Sequence, residues 1–396
     1  MAQKMILGLA LTLILLMPTT TMVVHAQLVQ SPPPQPASGV SIKLNGAGSS
    51  FVYPLMSQWR VMYDGQNPGI TINYQSVGSG AGINQMTKKT VDFGASDAPL
   101  SKSQQKAAPN TLTFVDSIGA ITVSYNIPNG QIKNGVAQII PSGLNLTGPT
   151  LAQIFEGKIQ YWDDPAIEAN NSGVVLPHAK ITVIHRSDGS GTTYGFTNYL
   201  SKVSSDWKHD VGQGTVVPWR TGIGGPGNAG VAHYIQLTPY SIGYVELAYA
   251  QQNNMSYANV ENADGDNFVA PTLDSTSAAA SALTSLPAAN GDWSKVSITN
   301  EPGPNTYPIA SLTYIMAYAD RDKVKNTDLN KADALLDFIY WIISGGPGQP
   351  VGGQQYASPL WYVPLPQNIQ LNDINGLQMF KYDGQQLWND TSNSGT

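Results

Sequence analysis

The residues best suited to chemistry in this 396-residue chain lie in three short turns, each running into a helical pattern. They are Gly46-Ala47-Gly48-Ser49-Ser50-Phe51, Gly78-Ser79-Gly80-Ala81-Gly82, and His185-Arg186-Ser187-Asp188-Gly189-Ser190-Gly191-Thr192-Thr193. Each supplies small side chains, a hydroxyl able to cap a helix, and backbone amides at the helix start. A helix N-terminus carries about half a positive charge and presents unpaired N–H donors. Such a turn is an anion site without any lysine. In isolation, a Ser or Thr there usually just caps its own helix. Three such turns, one carrying Arg186, predict a shared anionic ligand wherever the fold brings them together.

Other chemistries fit the sequence poorly. Its five histidines (His25, His178, His185, His209, His233) show no H-x-x-x-H or H-x-H spacing for a metal. There is no G-x-S-x-G elbow and no Walker lysine motif. Gly222-Ile223-Gly224-Gly225-Pro226-Gly227 satisfies G-x-G-x-x-G as a string. No buried-strand pattern precedes it and Pro226 sits inside it, so a structural loop is the expectation. His185, Asp188 and Ser190 are triad residue types, but a relay draws its members from separate elements. No catalytic residue, metal or cofactor is expected.

The elements that must position the turns alternate. Val40–Leu44, Ile70–Tyr74, Val91–Ala95, Ala120–Tyr125 and Ile181–Ile184 read as strands. Helical spacing runs through Val52, Leu55, Trp59 and Met62, through Ile83–Met86, Leu151–Phe155, Tyr194–Val203 and Ala229–Gln236, and along one apolar face from Leu329 to Ile343. This order predicts an α/β fold with a mixed sheet. The Ala/Ser/Thr-rich stretch 264–292 reads as an insertion or a surface helix pair.

Composition narrows the partners. Charged residues make up 12% of the chain, about half the ~25% usual for soluble proteins. The formal charge of −6 argues against nucleic acid, which needs a basic face. There is no cysteine, which removes disulfides, thiol nucleophiles and a lipid-modified N-terminal cysteine. Lys4 is the only charge before Lys43, and Met5–Met17 is almost wholly apolar. With Val24-His25-Ala26 these are the parts of a secretory signal, so residues 1–26 are expected to be a cleaved signal or an uncleaved anchor. Residues 27–41, with Ser31-Pro32-Pro33-Pro34-Gln35-Pro36, read as a Pro-rich linker that does not pack. The destination is the periplasm or the cell surface.

Between about Ser41 and Gln370 the chain resembles the phosphate-binding proteins of high-affinity phosphate ABC importers, a family of periplasmic-type solute-binding proteins. The resemblance rests on the first and third turns, on Val91-Asp92-Phe93-Gly94-Ala95-Ser96-Asp97-Ala98-Pro99-Leu100, and on Ile154-Phe155-Glu156-Gly157-Lys158-Ile159 with Tyr161-Trp162-Asp163-Asp164-Pro165. Gly222–Gly230, Ile242-Gly243-Tyr244-Val245-Glu246 and Tyr362-Val363-Pro364-Leu365-Pro366 add to it. It implies a two-lobed, type II periplasmic-binding-protein fold: mixed sheets flanked by helices, with two crossing hinge strands. Lobe I would be 42–124 with 308–396, and lobe II 125–307. It also implies a non-enzymatic monomer that binds inorganic phosphate and passes it to the permease subunits and ATPase of an importer. A receptor or surface sensor for another tetrahedral oxyanion, arsenate or sulfate, is the alternative.

Carried over residue by residue, the phosphate ligands would be the hydroxyl and amide of Ser50, the amide of Phe51, Ser79, Asp97, Arg186, Ser190, and the amides of Gly191 and Thr192. Asp188 would orient the guanidinium. Ser50 stands where the family often has Thr, and Gly80-Ala81-Gly82 replaces the more usual Ser-Gly-Gly, losing a hydroxyl beside Ser79. Gly222–Gly230 is expected to be a fold marker without ligand contact. Asp97 beside an anion makes chemical sense for phosphate, which keeps a proton at neutral pH that Asp97 can accept. Sulfate has none and would meet it lone pair to lone pair.

Overall fold

The computed structural model describes residues 32–133, 136–345 and 352–389, and residues 33–389 cluster as one unit. The expected signal or anchor, the first part of the linker and the last seven residues lie outside the described residues. Nine strands form the main sheet: β1 (Ile42–Gly48), β2 (Ile70–Ser76), β3 (Phe93–Ser96), β4 (Thr111–Asn126), β5 (Thr182–Arg186), β6 (Ile223–Gly225), β7 (Ser241–Glu246), β8 (Ser256–Tyr257) and β9 (Ala310–Tyr318). Seven helices matter to the argument: α1 (Tyr53–Gln66), α2 (Ser79–Thr87), α3 (Gly148–Phe155), α4 (Gly191–Val203), α5 (Gly227–Leu237), α6 (Leu247–Gln252) and α7 (Leu329–Ile343).

The strand order is β2-β1-β3-β9-β4-β7-β5-β6, with β8 also pairing β4. At one end β1, β2 and β3 run parallel; at the other, β7, β5 and β6 do. Antiparallel β9 and β4 lie between them. β4 joins the two halves. Its residues Thr111–Ala120 pair with β9, and Ile121–Asn126 with β7. A register shift between Thr313 and Tyr314 of β9 breaks the ladder locally, as a bulge does where a side chain must be re-aimed.

Local sequence accounts for the elements around the turns. Pro54 sits in the first turn of α1, where its missing N–H is harmless. Ser190 caps α4 by accepting the Thr193 amide, and Asp328 caps α7 by accepting the Lys331 amide. α7 buries Leu335, Leu336, Phe338, Ile339, Ile342 and Ile343, as its apolar face predicts. They join a core that runs from Leu44 and Phe93 of β1 and β3 through Phe114 and Ile121 of β4 to Phe155 of α3 and Phe196 of α4. A smaller cluster, with Ile184, Val231, Ile235 and Val245, packs α5 onto β5 and β7.

Four expectations change. β4 begins nine residues before Ala120, because its buried first half carries Asp116 and Ser117 and shows no alternation. The stretch 264–292 holds one α-helix, Leu273–Ala280, closed by a Thr272/Ser275 capping box, and not a helix pair. The Gly222–Gly230 loop folds as β6 and the first turn of α5. In the described part of the Pro-rich stretch, Gln35 donates to Asp337 and Ala37 N to Asn330 Oδ1 at 2.9 Å, which lays this segment on α7. Among the described residues no helix is long and apolar enough to cross a membrane.

Candidate anion-binding site

All three turns emerge at the carboxyl ends of parallel strands, where open α/β sheets bind ligands. The first follows β1, the second follows β2, and Asp97 follows β3. Arg186 ends β5 and its turn opens α4, while β6 delivers the start of α5 to the same place. The backbone of the first turn is fixed from behind by three phenols. Tyr74 of β2 donates to the Ser49 carbonyl, Tyr249 of α6 to that of Ser50, and Tyr362 to that of Phe51, at 2.7, 2.7 and 2.6 Å. A trans peptide holds C=O and N–H on opposite sides. The amides of Ser50, Phe51 and Val52 are therefore aimed away from the phenols.

The eight expected ligand residues form one buried cluster, with Asp97 and Arg186 each 3% exposed. Arg186 Nε and one terminal nitrogen donate to Asp188 Oδ1 and Oδ2 at 2.8 and 2.5 Å, the other terminal nitrogen to Thr192 Oγ1 at 3.3 Å. This is the bidentate fork that a guanidinium makes and an ammonium does not. Thr192 Oγ1 lies 3.4 Å from Asp97 Oδ2. Ser79 Oγ accepts the Gly191 amide at 3.0 Å and the Asp97 amide at 3.3 Å, tying the second turn to the third and to the end of β3. The Gly80 amide donates to the Gly189 carbonyl at 2.9 Å. Gly78 takes φ +87°, and a Cβ there would lie 2.2 Å from Asp188 Oδ2. Ser190 Oγ serves the Thr193 amide at 3.0 Å. Of the three turns, only this last one uses its hydroxyl to cap its own helix. The N-caps of α1 and α2 are Val52 and Gly78.

Some of the expected ligand groups bond within the cluster itself. The Phe51 amide donates to Ser49 Oγ at 2.9 Å, and Ser50 Oγ accepts from the Asn228 amide and side chain at 3.0 and 3.2 Å. Beside the cluster is a cavity of about 380 Å³ bounded by Ser50, Tyr53, Val77, Asp188, Gly227 and Tyr249.

Residues that sequence reasoning passed over complete the cluster. Asn228, first turn of α5, also donates to Thr192 Oγ1 at 3.1 Å, and the neighbouring Gly227 amide donates to Asp188 Oδ1 at 3.0 Å. The fold-marker segment therefore reaches the cluster. The one local signal for it was that Asn228 is the only polar side chain in Gly222–Gly230. Tyr244 of β7 accepts the Arg186 amide and bonds Thr193, at 3.1 and 2.6 Å. Ser49 donates to Asp97 Oδ1, as does Thr313 of β9 at 3.2 Å. Nothing local marks Thr313, which lies far from the turns along the chain.

Burial pushes the Asp97 carboxyl up to about 6, against hydrogen bonds from Ser49, Thr313 and Thr192 and the charge of Arg186. Burial also holds Asp116, Glu246 and Asp373 well above the usual carboxylate range. Burial would raise Asp188 too, but the Arg186 bonds and charge and the Gly227 amide hold it low. The raised groups keep protons in the folded chain at pH values where the unfolded chain has lost them. Stability then falls as pH rises from about 4, where unfolded aspartates ionise, through 6 and above. For Asp97 alone the difference is of the order of 3 kcal/mol. We expect the melting temperature of the ligand-free protein to fall from pH 5 to 8, and one that is flat or rising over that range in phosphate-free buffer would contradict this.

Residues 32–345 match the family described as PBP superfamily domain. The phosphate-binding protein PstS of Xylella fastidiosa is 45% identical over 342 residues, covering 85% of each chain. That of Pasteurella multocida is 42% identical over 87% of this chain and 93% of its own. That of Methanocaldococcus jannaschii is 34% identical over 96% and 97%. Among solved structures, a phosphate-binding protein from Stenotrophomonas maltophilia superposes with a TM-score of 0.62 at 17% identity, over 85% of this chain and 93% of its own. A high-affinity periplasmic phosphate-binding protein, bound with phosphate, gives 0.64 at 18% over 84% and 92%. The extent of these matches agrees with strand ends that converge on one fixed guanidinium: the chain belongs to the PstS family of phosphate-binding proteins, within the PBP superfamily.

Proposed function

We propose that this chain is an extracytoplasmic receptor that takes up inorganic phosphate between its sheet halves and delivers it to the permease and ATPase of an ABC importer. The observation that carries this is the pairing, in one buried cluster, of a clamped guanidinium with an aspartate that faces the same space. A fully charged dianion needs the first, and a proton-bearing one tolerates the second. The ligands are Ser50, Phe51, Ser79, Asp97, Arg186, Ser190, Gly191 and Thr192, with Asp188 orienting Arg186. On binding, the anion replaces the bonds these groups now make with one another. The lobes are 42–124 with 308–396, and 125–307. The change of β4's pairing partner at Ala120/Ile121 supports a division near there. The chain binds phosphate without turning it over, so a chromogenic phosphate ester should release no product. Residues 1–26 direct export, and N-terminal sequencing of the exported chain distinguishes cleavage from anchoring.

Calorimetry with phosphate, sulfate and arsenate tests the reading. Phosphate binding that sulfate does not displace is expected, and absence of phosphate binding overturns it. Closure itself can be tested at Gly191. A Cβ there would lie 2.6 Å from Asp97 N, Cβ and Oδ2, too close for the third turn and the end of β3 to stay where they are. Gly191→Ala should therefore weaken phosphate binding at least about tenfold, a loss of about 1.4 kcal/mol. Unaltered affinity would mean the halves do not close on this contact.

A further inference from the structure

Ser49 lies one residue before the expected ligand Ser50, yet its side chain turns the other way. Its Oγ accepts the Phe51 amide at 2.9 Å and the Val52 amide at 3.3 Å, and contacts Asp97 Oδ1. A serine oxygen has two lone pairs and one proton. Both lone pairs are engaged by amides at the start of α1, so the proton is given to Asp97. Thr313 Oγ1 donates to the same carboxylate oxygen at 3.2 Å. Oδ1 thus has two donors and no room for a proton of its own. Oδ2 is left facing Thr192 Oγ1 and the Gly191 backbone, on the side of the expected anion.

We infer that Ser49 is a positioning residue: its hydroxyl holds Asp97 as a hydrogen-bond acceptor toward the anion, and so sets how far into mildly acidic solution the site goes on rejecting an anion that has no proton. The inference rests on the phosphate reading above. When Asp97 takes up a proton, Oδ2 is the oxygen that receives it, the carboxyl becomes a donor, and sulfate is no longer repelled. Burial favours that proton, and the Ser49 bond opposes it most among the partners. The Phe51 and Val52 amides behind Ser49 strengthen the opposition, because they polarise its hydroxyl.

Other groups act on Asp97 from every packed element. Arg186 of β5 favours the carboxylate; Asp116 of β4 and Glu246 at the end of β7 are held protonated by burial. The phenols of Tyr74, Tyr249, Tyr314 and Tyr362 are raised by burial and stay neutral. His185, stacked on Trp219, is lowered by burial. All of these are common to the parent and to a Ser49 variant, so their difference isolates the hydroxyl.

Sulfate remains a dianion across neutral and mildly acidic pH, so the pH dependence of its affinity reports protein groups alone. The test measures sulfate affinity from pH 5 to 8.5 in the parent, Ser49→Ala, Ser49→Cys and Ser49→Thr. Parent affinity should rise as pH falls through about 6. The Ala and Cys curves should be displaced about one pH unit upward, which is roughly fivefold tighter sulfate binding at pH 7. Thr should restore the parent curve. Carboxyl NMR of labelled aspartate in the ligand-free protein should show the same displacement. Coincident curves and coincident NMR midpoints, with phosphate binding intact, overturn the role of Ser49. A parent that binds no phosphate overturns the phosphate reading instead, and the NMR midpoints then decide the Ser49–Asp97 coupling by themselves.

Discussion

Arg186→Ala is expected to weaken phosphate binding by about 10²–10³-fold, a loss of about 3–4 kcal/mol. Arg186 is the full positive charge in a cluster that also holds Asp97 and Asp188, and it is buried with its fork already clamped. A desolvated anion must find a fixed donor for each water it loses, and a guanidinium pre-aimed by Asp188 provides charge without reorganisation. Removing it leaves two carboxylates facing the anion. The loss therefore combines a missing attraction with an unscreened repulsion. Arg186→Lys should fall between parent and alanine, because an ammonium keeps the charge but cannot serve Asp188 and the anion in one plane. Calorimetry checks both variants, with melting curves to show that they fold. An alanine variant that binds phosphate within tenfold of the parent would remove Arg186 from the site.

Asp97→Asn should act on selectivity more than on affinity. Rejection of an unprotonated oxyanion by a site built around an acceptor is worth about 10⁴–10⁵-fold. Ser49 and Thr313 both donate to Oδ1, so the new amide is forced to place its oxygen there and its NH₂ where Oδ2 stood. A donor then faces the anion, and sulfate is satisfied where it was repelled. The phosphate-over-sulfate ratio should narrow at least about 100-fold. Competition dialysis at pH 8, where the parent's Asp97 is ionised, gives the largest contrast. An unchanged ratio would show that discrimination lies elsewhere.

Much of the site was legible because its requirements are local. A turn that lets three strand ends meet must be made of small residues, and Arg186 and Asp188 lie two apart on one of them. The buried face of α7 repeats at helical spacing, so it too was legible. What escaped depends on partners far along the chain. Thr313 is an ordinary strand residue until a register shift in β9 aims it at Asp97. Asn228 looked like part of a glycine-rich connector, because its chemistry appears only once α5 packs beside the first turn. The first half of β4 is buried on both faces and carries a buried acid, Asp116, so neither alternation nor an apolar run announces it. Ser49 and Ser50 differ in role because the backbone aims them apart, which a doublet in a sequence does not reveal.

The three phenols behind the first turn bear on how quickly the cargo leaves. Tyr74 and Tyr362 hold their carbonyls from the same half of the sheet as the turn or from the segment packed on it. Tyr249 reaches the Ser50 carbonyl from α6, on the far side of β4. Parting the halves along that contact frees the Ser50–Phe51 peptide to rotate, while its neighbours stay fixed. On the proposed site, the Phe51 amide loses its aim before the rest of the proposed cage has come apart. Residence time would then follow the separation of the halves rather than escape from a finished cage. A permease that only wedges them open shortens it without touching the ligand.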